Sequence, residues 1–235
     1  MASAETAIDL TQAEVPDDNA HPIWEPTPST RYGKDEIITL LVGPEETEML
    51  TLASCLSFHS EFFRTALKKE WAEGQTRTVK LPEEEPEIIA QYLDFLVGRG
   101  LPTDSTRMDS QKGEVYVALT ALYALGERLL DSTLRNKIIT EIIRFTTVLS
   151  PNGLYNYIYP GDRDTIDYVY NYTTPASPAR RLMVDLYIYA GNTTWVVETL
   201  HPAFLRDLAE ALMLQVQNTD LPCRIFPKAA EEYFV

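Results

Sequence analysis

Regularly spaced apolar residues begin near position 37. Ile37–Val42 (IITLLV) is a β-branched and aliphatic run closed by Gly43-Pro44, the pattern of a short buried strand. EMLTL (48–52) follows a tight acidic turn and is expected to pair with that run as a hairpin. TRTVKL (76–81) alternates, placing Val79 and Leu81 on one face, and predicts a third strand that ends at Pro82.

Between the second and third of these runs the period changes to that of a helix. Leu52, Cys55, Leu56, His59, Phe62, Phe63, Ala66, Leu67 and Trp71 recur at spacings of three and four, the spacing of one helical face, and the run closes at Gly74. Ser60 followed by Glu61 is an N-cap with an acid in the first turn, so the spacing predicts two short helices broken at His59-Ser60. PEIIAQYLDFLVG (86–98) opens on a proline suited to a first helical position. It carries Ile88, Ile89, Tyr92, Phe95 and Leu96 on one face and stops at Gly98.

Residues 98–113 form a polar loop, after which Val115, Leu119, Leu122 and Leu129 mark a further helix. Leu134, Ile138, Ile142, Phe145 and Leu149 mark another, ending at Ser150-Pro151-Asn152-Gly153. Three more helices are expected near 162–172, 178–190 and 202–216, and no internal repeat appears at a period of 20–50 residues.

Composition narrows the function. The chain has 235 residues, 45% of them hydrophobic, enough to fill a core. Thirty-five acidic against 20 basic residues leave a formal charge of −15, which opposes phosphate binding by counterion release, so no nucleic-acid partner is expected. The same charge disfavours anionic membrane surfaces, and no apolar run is long enough to span a bilayer. MASAETAIDL lacks the basic start and apolar core of a secretory signal, so an intracellular location, cytoplasm or nucleus, is expected. On that location the sequons at Asn171 and Asn192 are chance matches. Residues 1–34 are read as a disordered acidic tail: positions 1–30 hold six acids, four prolines and no Lys or Arg. Trp24, in HPIWEPTP, is either a loosely packed aromatic or part of a short partner motif.

The segments from IITLLVG through FHSEFFRTALKKEWAEG and VKLPEEEP to YLDFLVGRGLP, in this order, resemble the BTB/POZ domain, especially its fungal form. The resemblance covers roughly residues 35–145, and SPARRLMVDLYIYAG with FLRDLAEAL resembles the helical region that trails the domain in those proteins. It implies an α+β fold: a BTB/POZ-like module over 35–150, a small three-stranded sheet with surrounding helices, followed by an all-α region over 151–235. It also implies a non-enzymatic adaptor or scaffold whose partners are proteins, among them the cullin of a ubiquitin ligase. Relatives contact the cullin through a hydrophobic residue, any residue and a glutamate just after the helix with paired aromatics. Trp71-Ala72-Glu73 fits that spacing, so Trp71 and Glu73, with Phe63 of the aromatic pair, are the candidate partner-binding residues.

Trp71 has two readings: an interface anchor beside an orienting carboxylate, or a cap on the core that continues the stripe of Phe63 and Leu67. The alternative function is self-assembly without ligase contact. Against a homodimer, the amphipathic helix that precedes the sheet in many relatives has no counterpart in the Pro-rich tail. Leu52-Ala53 also stands where many animal members have histidine and lysine.

Chemistry has few candidates. Only His21, His59 and His201 could serve as a base, and Cys55 with His59, four residues apart on one face, is the sharpest catalytic pair; a core histidine beside a buried thiol explains the spacing equally well. Cys55 and Cys223 suggest neither a disulfide framework nor a zinc site. PEEEPE (82–87) suits a helix N-terminus, and phosphate-loop and hydrolase motifs are absent, so no cofactor, metal or catalytic residue is expected. Six tyrosines between 155 and 172, with Arg163 as the one basic residue, point to packing between helices or a protein-binding face rather than base stacking.

Overall fold

The buried positions of the first strand alternate although its sequence is almost wholly apolar. In the computed structural model, which describes residues 35–103, 112–147, 163–190, 196, 199–217 and 229–235, β1 (Ile37–Val42) buries Ile38, Leu40 and Val42 completely. Its other face is open: Ile37 is 61% exposed, so the expected buried strand is covered on one side only. β2 (Thr47–Leu52) runs antiparallel to it with Ile37 opposite Leu52 and Thr39 opposite Leu50. The turn between them uses left-handed backbone at Gly43 and Glu46 (φ 73° and 50°).

β3 (Thr78–Leu81) lies parallel to β1 on its other side, giving a mixed sheet of order β2-β1-β3. It is shorter than the 76–81 expected, because Thr76 ends a helical turn and Arg77 adopts left-handed backbone (φ 58°) before the strand can start. A parallel pair needs a crossover. Here it consists of α1 (Ala53–His59), α2 (Glu61–Ala66) and α3 (Ala72–Thr76).

α4 (Pro86–Leu96) has its proline in the first turn, where a missing N–H costs nothing, and buries Ile89 and Tyr92. α5 (Lys112–Arg128) and α6 (Ser132–Thr147) form the central hairpin. Gly126 permits their close approach: a Cβ there would lie 3.0 Å from the Arg135 side chain. Leu130 turns the corner with φ 53°, and the buried Asp131 caps α6 by accepting from the Leu134 N–H at 2.8 Å.

α7 (Arg163–Tyr172), α8 (Pro178–Ala190) and α9 (Pro202–Gln217) follow, close to the expected spans. Along α9, Leu208 is buried while Leu212 and Val216, on the spacing of the same helical face, are exposed. A 3-10 turn at Ala230–Tyr233, which the sequence pattern does not announce, buries Tyr233; its hydroxyl donates to Asp185 at 2.7 Å. One apolar cluster runs from Ile38 and Phe63 through Leu122 and Ile138 to Leu182 and Tyr233.

The fold is thus α+β and mostly helical, with a small mixed sheet. The described residues from 36 onward form one compact unit. The expected tail at 1–34 and the boundary at Ser150–Gly153 lie outside the described residues, as do Trp24, His21 and Cys223. Among the described residues no helix is long and apolar enough to cross a membrane.

Candidate functional site

Ser60 sets the position of the segment that carries the candidate residues. Its side chain accepts from the Phe63 N–H at 3.1 Å, the N-cap expected from the sequence, and donates to the Leu129 carbonyl at 2.5 Å. The Phe62 N–H also reaches the Leu129 carbonyl, at 3.3 Å. The first turn of α2 is therefore fastened to the end of α5, where helix carbonyls lack partners of their own. Phe63, the third residue of α2, is fully buried and packs edge-on against Phe62, with ring centroids 5.1 Å apart. Its ring belongs to the core and presents no surface to a partner in this conformation.

Beyond Leu67 the chain leaves the helical line. The Trp71 N–H donates to the Lys68 carbonyl at 3.0 Å, closing a turn, and α3 starts immediately afterwards with Trp71 as its N-cap. Gly74 lies inside α3 and is buried. A Cβ on it would come within 2.1 Å of the Lys68 carbonyl oxygen and 2.8 Å of that of Leu67. The glycine thus permits α3 to fold back onto the turn instead of ending the helix, as the sequence pattern had suggested. The Gln75 side chain ties down the same turn by donating to the Lys69 carbonyl at 3.1 Å.

This fold-back throws Trp71 outward. Its side chain is 54% exposed, with Lys68, Lys69 and Glu70 exposed beside it and Glu73 partly buried in the first turn of α3. The reading of Trp71 as a cap on the core is overturned here: the periodicity that linked it to Phe63 and Leu67 assumed an unbroken helix. Of the nine residues on the expected stripe, Leu56 and Phe63 alone are fully buried. A second apolar surface lies on the outer face of the sheet, where Leu50 and Leu52 of the edge strand β2 are exposed together with Ile37 of β1, which pairs with Leu52.

His59 and Cys55 are both partly buried, and no hydrogen bond joins them among the described residues. The imidazole instead meets the rings of Phe58 and Phe95, at 5.0 and 6.0 Å. Burial lowers its pKa below the usual 6.5, partly offset by the Asp131 carboxylate. Asp131 is itself pushed above the ordinary carboxylate range by burial, against the bond from the Leu134 N–H; the Tyr92 hydroxyl also donates to it, at 3.1 Å. His201 accepts from the Ala203 N–H at 3.2 Å, an α9-capping role. No cluster among the described residues could hold a metal ion.

The described tyrosines of the rich segment belong to α7. Tyr170 is buried, donates to Asp207 at 3.0 Å and lies beneath the Arg180 guanidinium, whose carbon is 4.7 Å from the ring centre. Tyr168 and Tyr172 stack on each other at 4.5 Å, Tyr172 remaining exposed. Tyr155, Tyr157 and Tyr159 lie outside the described residues.

Comparison with models of protein families finds none that matches this chain, and none of the curated proteins matches it.

Proposed function

We propose that this chain is a BTB/POZ-type interaction module acting as an adaptor or scaffold, and that Trp71 with Glu73 makes its partner contact, a cullin being the partner tested first. The observation that carries the reading is the exposure of Trp71 on a corner held by backbone: a half-exposed indole, fixed by the Lys68 carbonyl and the buried Gly74, stands two residues from a carboxylate. A large rigid aromatic costs little ordering entropy on binding, and indoles dominate interface energetics. The order strand, strand, three short helices, strand, helix supports the resemblance from which the cullin expectation comes.

Calorimetric titration with a cullin tests the reading. Trp71→Ala and Glu73→Lys are each expected to abolish detectable binding while the far-ultraviolet dichroism stays that of the parent. Binding unchanged in both variants would remove the mechanism.

The exposed Ile37, Leu50 and Leu52 favour a second reading, self-assembly through the outer face and free edge of the sheet. Light scattering over a concentration series separates the two. A monomer at all concentrations, with cullin binding intact, leaves the adaptor reading alone.

A further inference from the structure

Among the described residues, two adjacent cations on the Trp71 turn stand without a partner. Lys68 and Lys69 open a run that stays exposed through Trp71, and they make neither an ion pair nor a side-chain hydrogen bond. Glu70 is exposed beside them and pairs with neither. The other lysines whose side chains are described do find carboxylates: Lys80 holds Glu46 at 2.7 Å and Lys137 holds Glu141 at 3.2 Å. Each arginine side chain that is described is bonded to a carboxylate or a carbonyl. In a chain with 35 acidic against 20 basic residues, two neighbouring cations left bare are the exception.

Two structural explanations come first. Exposed ion pairs contribute little, so a lysine loses little by lacking one. Both residues also follow the end of α2, where a cation offsets the negative end of the helix. That end is worth roughly half a charge, however, against the two that Lys68 and Lys69 bring. Nor do the ammonium groups hold the turn: its bonds run from the Trp71 N–H to the Lys68 carbonyl and from the Gln75 side chain to the Lys69 carbonyl. The backbone thus fixes where both side chains start, beside the half-exposed indole, and leaves their charged ends free.

We infer that Lys68 and Lys69 set the chemistry of the partner: the surface that receives Trp71 is an apolar pocket with carboxylates on the rim that faces the two lysines. This rests on the reading of Trp71 and Glu73 as the partner contact and deepens it. The indole supplies the buried contact, while the partner's carboxylates meet ammonium groups that need not first be drawn away from acids of their own chain. A basic rim would face two bare cations and be repelled. At long range the net charge of −15 opposes an acidic partner, but that field is screened within about 8 Å at physiological salt, so the lysines beside the indole govern the last step of docking.

The probe is the cullin of the adaptor test, its association with the immobilised full chain followed by surface plasmon resonance at low salt and at about 1 M salt. Lys68→Glu with Lys69→Glu is expected to slow association about tenfold at low salt and to approach the parent at high salt, where exposed charges are screened. Lys68→Arg with Lys69→Arg keeps both charges and should associate like the parent. Arg99→Glu with Arg206→Glu makes the same change in net charge outside the corner and should slow association about twofold at most.

Association that is unchanged or faster after the Lys68 and Lys69 reversal, or slowed equally by the Arg99 and Arg206 reversal, would overturn the inference. If Trp71→Ala still abolishes binding in that case, the adaptor reading stands without it. A parent chain that binds no cullin removes the adaptor reading and the inference together. Far-ultraviolet dichroism like that of the parent certifies that the variants fold: all four positions are exposed, and the carbonyls of Lys68 and Lys69 that hold the turn persist in each variant.

Discussion

The Ser60 hydroxyl donates to the Leu129 carbonyl across 69 positions of sequence, at 2.5 Å, while accepting from the Phe63 N–H three residues on. One small side chain thus caps α2 and binds it to the end of α5. Ser60→Ala removes the cap, takes the acceptor from the buried Phe63 N–H and leaves the Leu129 carbonyl with the Phe62 N–H alone, so a loss of about 1–3 kcal/mol is expected. Urea unfolding measures it, and a loss near zero would show that the bridge carries no stability.

Phe63 and Trp71 should separate cleanly. Phe63→Ala empties a fully buried site and is expected to cost about 3–5 kcal/mol. Trp71→Ala, at an exposed corner, should stay within about 1 kcal/mol of the parent. Equal losses in thermal or chemical unfolding would return Trp71 to the core.

Gly74→Ala is the most severe small change available at the candidate site. The added methyl would lie 2.1 Å from the Lys68 carbonyl oxygen, so α3 must shift, at a cost of about 1–3 kcal/mol. The indole N–H resonance of Trp71 should move with it. An unmoved resonance at parental stability would mean that the turn is looser than its packing implies.

His59 contributes a pH dependence whose sign follows from its lowered pKa. The unfolded chain takes up a proton near the usual 6.5 before the folded chain does, so stability present above that value is lost as pH falls through the folded pKa. Asp131, raised from 3.8, works in the opposite direction: its contribution is present at low pH and lost as pH rises through its folded value. The urea midpoint should therefore fall on acidification below about 6.5. In His59→Gln that fall should be shallower, and an identical slope in the two chains would exclude His59 as its source.

Much of this architecture is legible along the chain because the relevant signals are local. Ser60 with Glu61 announces an N-cap, Pro86 a first helical turn and Gly98 a stop, and each is found where its chemistry places it. What escapes a linear reading depends on contacts between distant residues. The Leu129 partner of Ser60 is one case, and the burial of Tyr233 against Asp185 is another; neither periodicity nor spacing encodes them.

The candidate site shows how a correct local signal can mislead. Spacings of three and four carry Trp71 onto the face of Phe63 only while the helix continues, and the turn at Lys68 breaks that phase. The signal for the break was Gly74, legible as special, but its role as a contact point for the Lys68 carbonyl becomes visible only when the backbone is folded.

The bridge from Ser60 to the end of α5 also sets an order in time. α1 and α2, of seven and six residues, are far below the length at which a helix persists alone in water. While the chain is being synthesised, the corner that displays Trp71 must therefore wait until Leu129 and Leu130 have left the ribosome and can receive the first turn of α2. The display of Trp71 is in this sense a late property of the chain, acquired only once the α5–α6 corner is in place.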